Sequence, residues 1–153
     1  MLMADPATAL AETRRVLRPG GRVALAVWGA MEANPFFTVV AISLVRHGHL
    51  PPPEPPGPPV FSLASPERTT ALLAGAGFSN VRTEVVPVRF ELPDVEEYLS
   101  VISDTAGPLG LLLRGLSATD RRAVKAAVED PLARFATARG YALPGEALCA
   151  VAD

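Results

Sequence analysis

Two histidines are the first candidates for chemistry in this chain. His47 and His49 could provide two metal ligands, but the sequence suggests no third ligand, and a metal site needs three or four. Histidine is also favoured near the end of a helix, where its positive charge faces the helix dipole. We therefore expect no metal site at these residues.

The candidate nucleophiles and bases are also weak. Ser62, Ser65 and Ser117 lie outside the G-x-S-x-G pattern of a catalytic serine, and the last two are placed to cap helices. Glu96 and Glu97 could act as a base, but an acidic pair is also favoured in the first turn of a helix. No catalytic residue is assigned from the sequence.

Aromatic side chains are the best candidates for lining a substrate pocket. Trp28, Phe36 and Phe37 flank the loop that follows a predicted parallel strand, where α/β folds place their ligands. Tyr98, on the apolar face of a later predicted helix, is a fourth candidate. Core packing is the alternative role for these rings. If they line a pocket, they should be partly exposed and covered by the segment Pro93–Gly140.

The composition describes an ordinary globular chain. Its 153 residues are 49% hydrophobic, enough for one compact domain. The net charge is −2 and the 14 basic residues are spread along the chain, so nothing indicates a nucleic-acid surface. Cys149 is the only cysteine, which excludes an internal disulfide. No stretch could span a bilayer, and we expect a cytoplasmic protein.

The beginning of the chain predicts a helix, a turn and a strand. Asp5 is a good N-cap, and Pro6 fits the first helical position. Pro19 cannot continue the helix, and the Gly20-Gly21 pair can adopt the left-handed conformation that ends it. The strand that follows is apolar on both faces over Val23–Trp28, which is typical of a parallel strand covered on both sides.

This helix, Arg-Pro-Gly-Gly turn and strand together resemble the segment that follows the fourth strand in class I S-adenosylmethionine-dependent methyltransferases. The resemblance is closest to the small-molecule branch that includes the ubiquinone- and menaquinone-type enzymes. In that family the segment lies near the middle of the chain, whereas here it begins at Asp5. The resemblance therefore implies the C-terminal half of a Rossmann-like methyltransferase sheet. Met1, Leu2 and Met3 would then be the end of the fourth strand and a remnant of the cofactor site.

The remaining elements are predicted from caps, glycines and hydrophobic spacing. The strand Val81–Leu92 must contain a bulge or bend near Val85–Pro87, because its alternation changes phase there. Pro131 should kink or break the last helix. The predicted segments are a helix from Asn34-Pro35 to Gly48, a helix from Ser65 closed by Gly77-Phe78, a helix capped by Asp94, an apolar segment Leu109–Leu116, a helix capped by Ser117, and a final strand Tyr141–Ala152 interrupted by Pro144-Gly145.

A proline-rich run separates two of these helices. Pro51–Pro59 contains seven prolines in nine residues and must be extended. It could be a ligand for an SH3-type domain, but a stiff surface connection is the simpler interpretation.

We predict a single partial methyltransferase-like α/β domain. Residues 1–92 and 141–153 would form its core, and residues 93–140 a helical insert. The resemblance implies a parallel strand at residues 22–28 and a terminal antiparallel strand that inserts between its neighbours. It also implies that insertions cap the substrate.

The cofactor-binding half of such an enzyme is absent from this sequence. The family places a glycine-rich turn after its first strand and an acidic residue on the ribose hydroxyls. Here Gly75-x-Gly77 comes closest, but it lies at a helix C-terminus, which presents carbonyl groups rather than N–H groups. S-adenosylmethionine is thus the implied cofactor and a small molecule the implied methyl acceptor, but we expect this chain alone to bind the cofactor poorly and to be inactive.

Two function classes follow from this. The first is a small-molecule methyltransferase represented by its C-terminal part. The second is a non-catalytic binding or interaction module, or one half of a split enzyme. Strand 22–28 would leave a long apolar edge unpaired. We therefore expect self-association, pairing with an N-terminal partner chain, or poor solubility.

Overall fold

The computed structural model describes residues 1–54 and 59–153, which form an α/β fold of six helices and four strands. Two short 3₁₀ turns, Met31–Ala33 and Pro59–Phe61, connect some of these elements. The helices and strands are α1 Pro6–Val16, β1 Val23–Trp28, α2 Pro35–Arg46, α3 Pro66–Gly75, β2 Arg82–Leu92, α4 Val95–Thr105, α5 Pro108–Gly115, α6 Ala118–Ala133, β3 Ala136–Thr137 and β4 Gly140–Ala152.

The strands form an open antiparallel sheet in the order β1-β4-β2, and β3 pairs with β4. The β1–β4 register runs from Val23 opposite Ala152 to Trp28 opposite Ala147. On the other side of β4, Ser79 and Asp153 exchange two backbone hydrogen bonds of 2.9 Å. The expected antiparallel terminal strand is confirmed. The expected parallel sheet is not: in the described residues β1 has only an antiparallel neighbour.

Local signals placed the starts of α1, α4 and α6 correctly. The Asp5 carboxylate accepts hydrogen bonds from the N–H groups of Ala7 and Thr8 at 3.0 and 3.1 Å. The side chains of Asp94 and Ser117 accept from the third N–H after each cap, at 2.9 and 3.1 Å. These caps satisfy N–H groups that the first helical turn leaves without a partner.

The turn after α1 differs from the prediction in one respect. The helix has already ended at Leu17, whose backbone is extended. Gly20 does adopt a positive φ of 73°, but it does so inside a turn closed by the Gly21 N–H and the Arg18 carbonyl at 2.9 Å. Proline before glycine is the expected sequence for a type II turn. The glycine therefore shapes the turn into β1 rather than the helix end.

The chain divides into two compact units. The first consists of residues 1–33, 53–88 and 146–153, and the second of residues 34–52 and 89–145. The predicted division was a core of 1–92 and 141–153 with an insert of 93–140. The two units differ from this predicted division mainly in that α2 belongs to the second unit.

In the first unit, α1 and α3 cover one face of the β1–β4 pair. Leu73 and Phe78 pack against Ala150 and Ala152, with Leu25 at the margin of the same cluster. Alternate residues of β1 face the other side, and Ala24 and Ala26 are exposed there. The second face is therefore exposed at Ala24 and Ala26, in contrast to the expectation that both faces of the strand would be covered.

In the second unit, α2, α4, α5 and α6 surround one hydrophobic core. Its fully buried side chains include Val40, Leu44, Val124, Val128 and Leu132. These residues recur at helical spacing on α2 and α6, so the two helices bury their apolar faces in a common core.

The expected break at Pro131 is not observed, since α6 continues to Ala133. Proline lacks the N–H that would bond to the carbonyl four residues earlier, which belongs to Ala127. The buried Ser43 hydroxyl of α2 lies 3.4 Å from that carbonyl oxygen. A side chain from another helix thus supplies the donor that Pro131 cannot.

In each of the two long strands, β2 and β4, the alternation of buried and exposed residues changes phase once. Glu84 and Val85 are both exposed in β2, so the phase changes at the first residue of the predicted bend. In β4 the buried positions change from Leu143 and Gly145 to Leu148, Ala150 and Ala152. The strand is nevertheless continuous through Pro144-Gly145, where an interruption was predicted.

Of the proline-rich run, residues 51–54 are in neither helix nor strand, and residues 55–58 lie outside the described residues.

Candidate functional site

The four predicted pocket residues are divided between the two units. Trp28 is half-buried in the first unit, whereas Phe36, Phe37 and Tyr98 belong to the second. Phe36 and Tyr98 are only 2% and 0% exposed. The Tyr98 hydroxyl donates a hydrogen bond of 2.8 Å to the Phe36 carbonyl, and burial raises the pKa of that hydroxyl well above its ordinary range.

The rings around Phe36 form a packed cluster. The Phe90 ring stacks on the Phe36 ring with centroids 4.0 Å apart. The Phe37 ring meets the Phe36 ring edge-on, with centroids 5.0 Å apart. Such contacts are typical of a core, which is the role that Phe36 and Tyr98 have here. That the half-buried Trp28 and Phe37 line a substrate pocket stays a prediction.

The described residues offer no cradle for S-adenosylmethionine. Met1 packs against Val27, Leu63 and Leu148, while Leu2 and Met3 are 85% and 61% exposed and lie in no strand. The glycine that follows β1 is engaged in strand pairing, because the Gly29 N–H donates to the Glu146 carbonyl at 2.8 Å.

The other sequence candidates have structural roles. His47 ends α2, and the His49 Nε2 lies 3.8 Å from a carboxylate oxygen of Asp120. Within residues 1–54 and 59–153, no three His, Cys, Asp or Glu side chains could hold one metal ion. Glu96 pairs with Lys125 at 2.5 Å, and this hydrogen bond raises the pKa of the Lys125 ammonium.

A surface groove that the sequence reasoning missed lies in the second unit, between the end of β2 and the β3–β4 hairpin. Its volume is about 510 Å³, within the range of small-molecule sites. Charged, aromatic and small apolar side chains from both segments line it: Arg89, Glu91, Leu92, Pro93, Thr137, Ala138, Arg139, Tyr141 and Ala142.

Hairpin geometry fixes one wall of this groove. Ala136 pairs with Tyr141 and Thr137 with Gly140, so Ala138 and Arg139 form the tip. Gly140 has a φ of 120°, and a Cβ there would lie 2.7 Å from the carbonyl carbon of Pro93. The hairpin therefore lies directly against the backbone at the end of β2, which only glycine permits.

The groove carries one positive charge in excess. The Arg89 guanidinium and the Glu91 carboxylate are paired at 2.8 Å. In the described part of the chain, neither the Arg139 guanidinium nor the Tyr141 hydroxyl has a hydrogen-bond partner. Two of the residues that line this groove thus carry a donor group without a partner in the described residues.

A second groove of about 430 Å³ lies on the surface of α6, also in the second unit. It contains Arg121, Arg122 and the Glu96–Lys125 pair. The Arg122 Nε donates to the Ala118 carbonyl at 3.2 Å and the Arg121 guanidinium to the Arg114 carbonyl at 3.4 Å, so its cations are engaged within the protein.

The outer edge of β1 is the other notable feature. Because the Gly29 N–H bonds to Glu146, alternate residues Val23, Leu25 and Val27 direct their backbone groups toward β4. Ala24 and Ala26 direct theirs to the opposite side. No strand of the described residues pairs there.

Comparisons with protein-family models and with curated proteins find no match for this chain. Among the described residues, no helix is both long enough and apolar enough to cross a membrane.

Proposed function

We propose that this chain is the C-terminal part of a small-molecule methyltransferase that uses S-adenosylmethionine. The observation that carries the proposal is the sheet order β1-β4-β2. The last strand lies antiparallel between two strands that run in the same direction, which is the arrangement that the sequence resemblance implies.

The segment before β1 supports the same proposal. The Asp5 cap, the Pro6 start and the Arg-Pro-Gly-Gly turn lead into β1 as the resemblance requires. Helices α4, α5 and α6 lie between β2 and β4 along the chain, where the resemblance places a substrate-capping insert.

The contribution of this chain would be to hold the acceptor rather than the cofactor. S-adenosylmethionine supplies the methyl group in such enzymes, but the described residues do not fit it, so no catalytic step is assigned to them. A methyl transfer depends mainly on holding the reacting atoms in line. The insert α4–α6 and its neighbouring loops would provide the walls that orient the acceptor.

Two measurements test this proposal. Reading the DNA upstream of the Met1 codon should reveal a continuous frame that encodes a strand followed by G-x-G-x-G. Titration calorimetry of the 153-residue chain should show no micromolar binding of S-adenosylmethionine, whereas the extended chain should bind it. A stop codon directly upstream, or micromolar binding by the short chain, would contradict the proposal.

The free edge of β1 favours a second function, that of an interaction module. No described strand pairs with the outward backbone groups of Ala24 and Ala26, so an extended segment of another chain could pair with them. The exposed side chains of Leu2 and Met3 add apolar surface to the same unit. We propose that this edge recruits a strand, either from a second copy or from a separate N-terminal partner chain.

A substitution pair at one position tests the edge. Ala26→Pro removes an N–H that does not bond to β4, so it blocks a new strand while sparing the β1–β4 ladder. Ala26→Ser keeps the N–H and is the control. Sedimentation should show association of the native chain and of Ala26→Ser, but not of Ala26→Pro. A native chain that is monomeric at all concentrations, alone and with its partner chain, would exclude the module.

A further inference from the structure

We propose that the groove between the end of β2 and the β3–β4 hairpin binds a small organic anion, a carboxylate carried on an apolar body. This site is independent of the proposed methyl transfer, since it needs neither a cofactor nor the edge of β1. The proposal rests on three observations: charge, donor geometry and rigidity.

Charge selects an anion. The groove contains Arg89, Arg139 and Glu91, and the ion pair between Arg89 and Glu91 neutralises two of these three charges. Arg139 remains as a cation without an internal partner in the described residues. A monoanion would complete the charge balance, whereas a dianion would exceed it.

Donor geometry selects a carboxylate. A guanidinium presents parallel N–H groups that match the two oxygens of a carboxylate. Tyr141, two residues along the same hairpin, lines the same groove while its ring packs against the core, and its hydroxyl has no hydrogen-bond partner among the described residues. Leu92, Pro93 and Ala142 supply apolar surface between the charged groups, so the rest of the ligand is expected to be apolar.

Rigidity makes this a site rather than a pair of mobile side chains. The Thr137 hydroxyl accepts a hydrogen bond of 3.2 Å from the Arg139 N–H, which orders the tip. The Ala142 N–H donates to the Phe135 carbonyl at 2.9 Å, and Gly140 lies against the Leu92-Pro93 backbone. The base of the hairpin is therefore held against the end of β2 before any ligand arrives.

The test uses 2-naphthoate as the probe, with 2-naphthalenemethanol as its neutral analogue. In ¹H–¹⁵N spectra of the whole chain, naphthoate should cause saturable shifts at residues 89–92 and 137–142. The alcohol should bind about tenfold more weakly, since it lacks the charge-assisted hydrogen bonds.

Three variants complete the test. Arg139→Gln should weaken naphthoate binding about tenfold, because it removes a hydrogen bond from a charged donor. Tyr141→Phe should weaken it about threefold, because it removes a hydrogen bond from a neutral donor. Arg122→Gln, on the exposed surface of α6, is the matched control and should leave binding unchanged. The amide spectra without ligand report whether each variant is folded.

Several results would overturn the proposal: shifts centred elsewhere, no saturation, equal binding of the acid and the alcohol, or equal effects of Arg139→Gln and Arg122→Gln. If Arg139→Gln were misfolded, Arg139→Lys would decide. It keeps the charge but loses the paired N–H groups, so it should bind with intermediate affinity.

Discussion

The contact between Ser43 and the carbonyl freed by Pro131 makes a quantitative prediction. Ser43 is 3% exposed, and its hydroxyl lies 3.0 Å from the Val39 carbonyl and 3.4 Å from the Ala127 carbonyl. The Val39 carbonyl also accepts the helical N–H of Ser43 itself. The Ala127 carbonyl lacks its usual helical donor, because that donor would be the nitrogen of Pro131. Removing the hydroxyl should therefore cost most at Ala127.

The magnitude follows from two opposing effects. An unsatisfied acceptor that is partly buried costs about 1–2 kcal/mol of unfolding free energy. Alanine is a better helix former than serine by about 0.5 kcal/mol. Ser43→Ala should thus destabilise the protein by about 1 kcal/mol, or roughly 3 °C in melting temperature for a chain of this length.

The decisive measurement is a double-mutant cycle with Pro131→Ala, whose new N–H can bond to the Ala127 carbonyl. In that background Ser43→Ala should be neutral or slightly stabilising, which gives a coupling of about 1 kcal/mol. Urea unfolding monitored by circular dichroism measures all four proteins. Equal effects of Ser43→Ala in both backgrounds would show that the hydroxyl serves Val39 alone and would refute the reasoning.

Two further predictions concern the hairpin and a charged cluster. Gly140→Ala should destabilise the protein by about 1–3 kcal/mol because of its positive φ and its contact with Pro93, whereas Gly75→Ala, which has open space, should be neutral or stabilising in the same thermal melts. Hydrogen bonds from Asn80 and Arg22 lower the pKa of the Asp153 carboxyl, so their contribution to stability should be lost as the pH falls through that lowered pKa. In carboxyl NMR titrations Asn80→Ala should raise this pKa, and no change would contradict the cause.

Features set by neighbouring residues could be predicted from the sequence. Asp5, Asp94 and Ser117 cap helices because each accepts from N–H groups two or three residues away. The phase change of β2 was also readable, since alternation along a strand is local. The order of most helices followed from such signals, whereas the antiparallel direction of the last strand was implied by the family resemblance.

Features set by distant residues could not be predicted. The carbonyl that loses its helical donor at Pro131 is that of Ala127, and it is contacted by Ser43, which lies 84 residues before Ala127 in the chain. The groove exists because Gly140 lets the hairpin approach Pro93, and no sequence pattern brings Arg89 and Arg139 to one surface. Phe36 and Tyr98 could equally have lined a pocket, and only the packing placed them in the core.

Four helices begin with proline, at Pro6, Pro35, Pro66 and Pro108. In each case the carbonyl of the preceding residue accepts the N–H four residues further on, as in Asp5 to Ala9 at 3.1 Å, which requires a trans bond before the proline. In an unfolded chain about 10% of such bonds are cis. About a third of unfolded molecules would then carry at least one wrong isomer among these four. Helix starts that are well ordered at equilibrium therefore impose a slow step on folding, on the order of tens of seconds at 25 °C and accelerated by a prolyl isomerase.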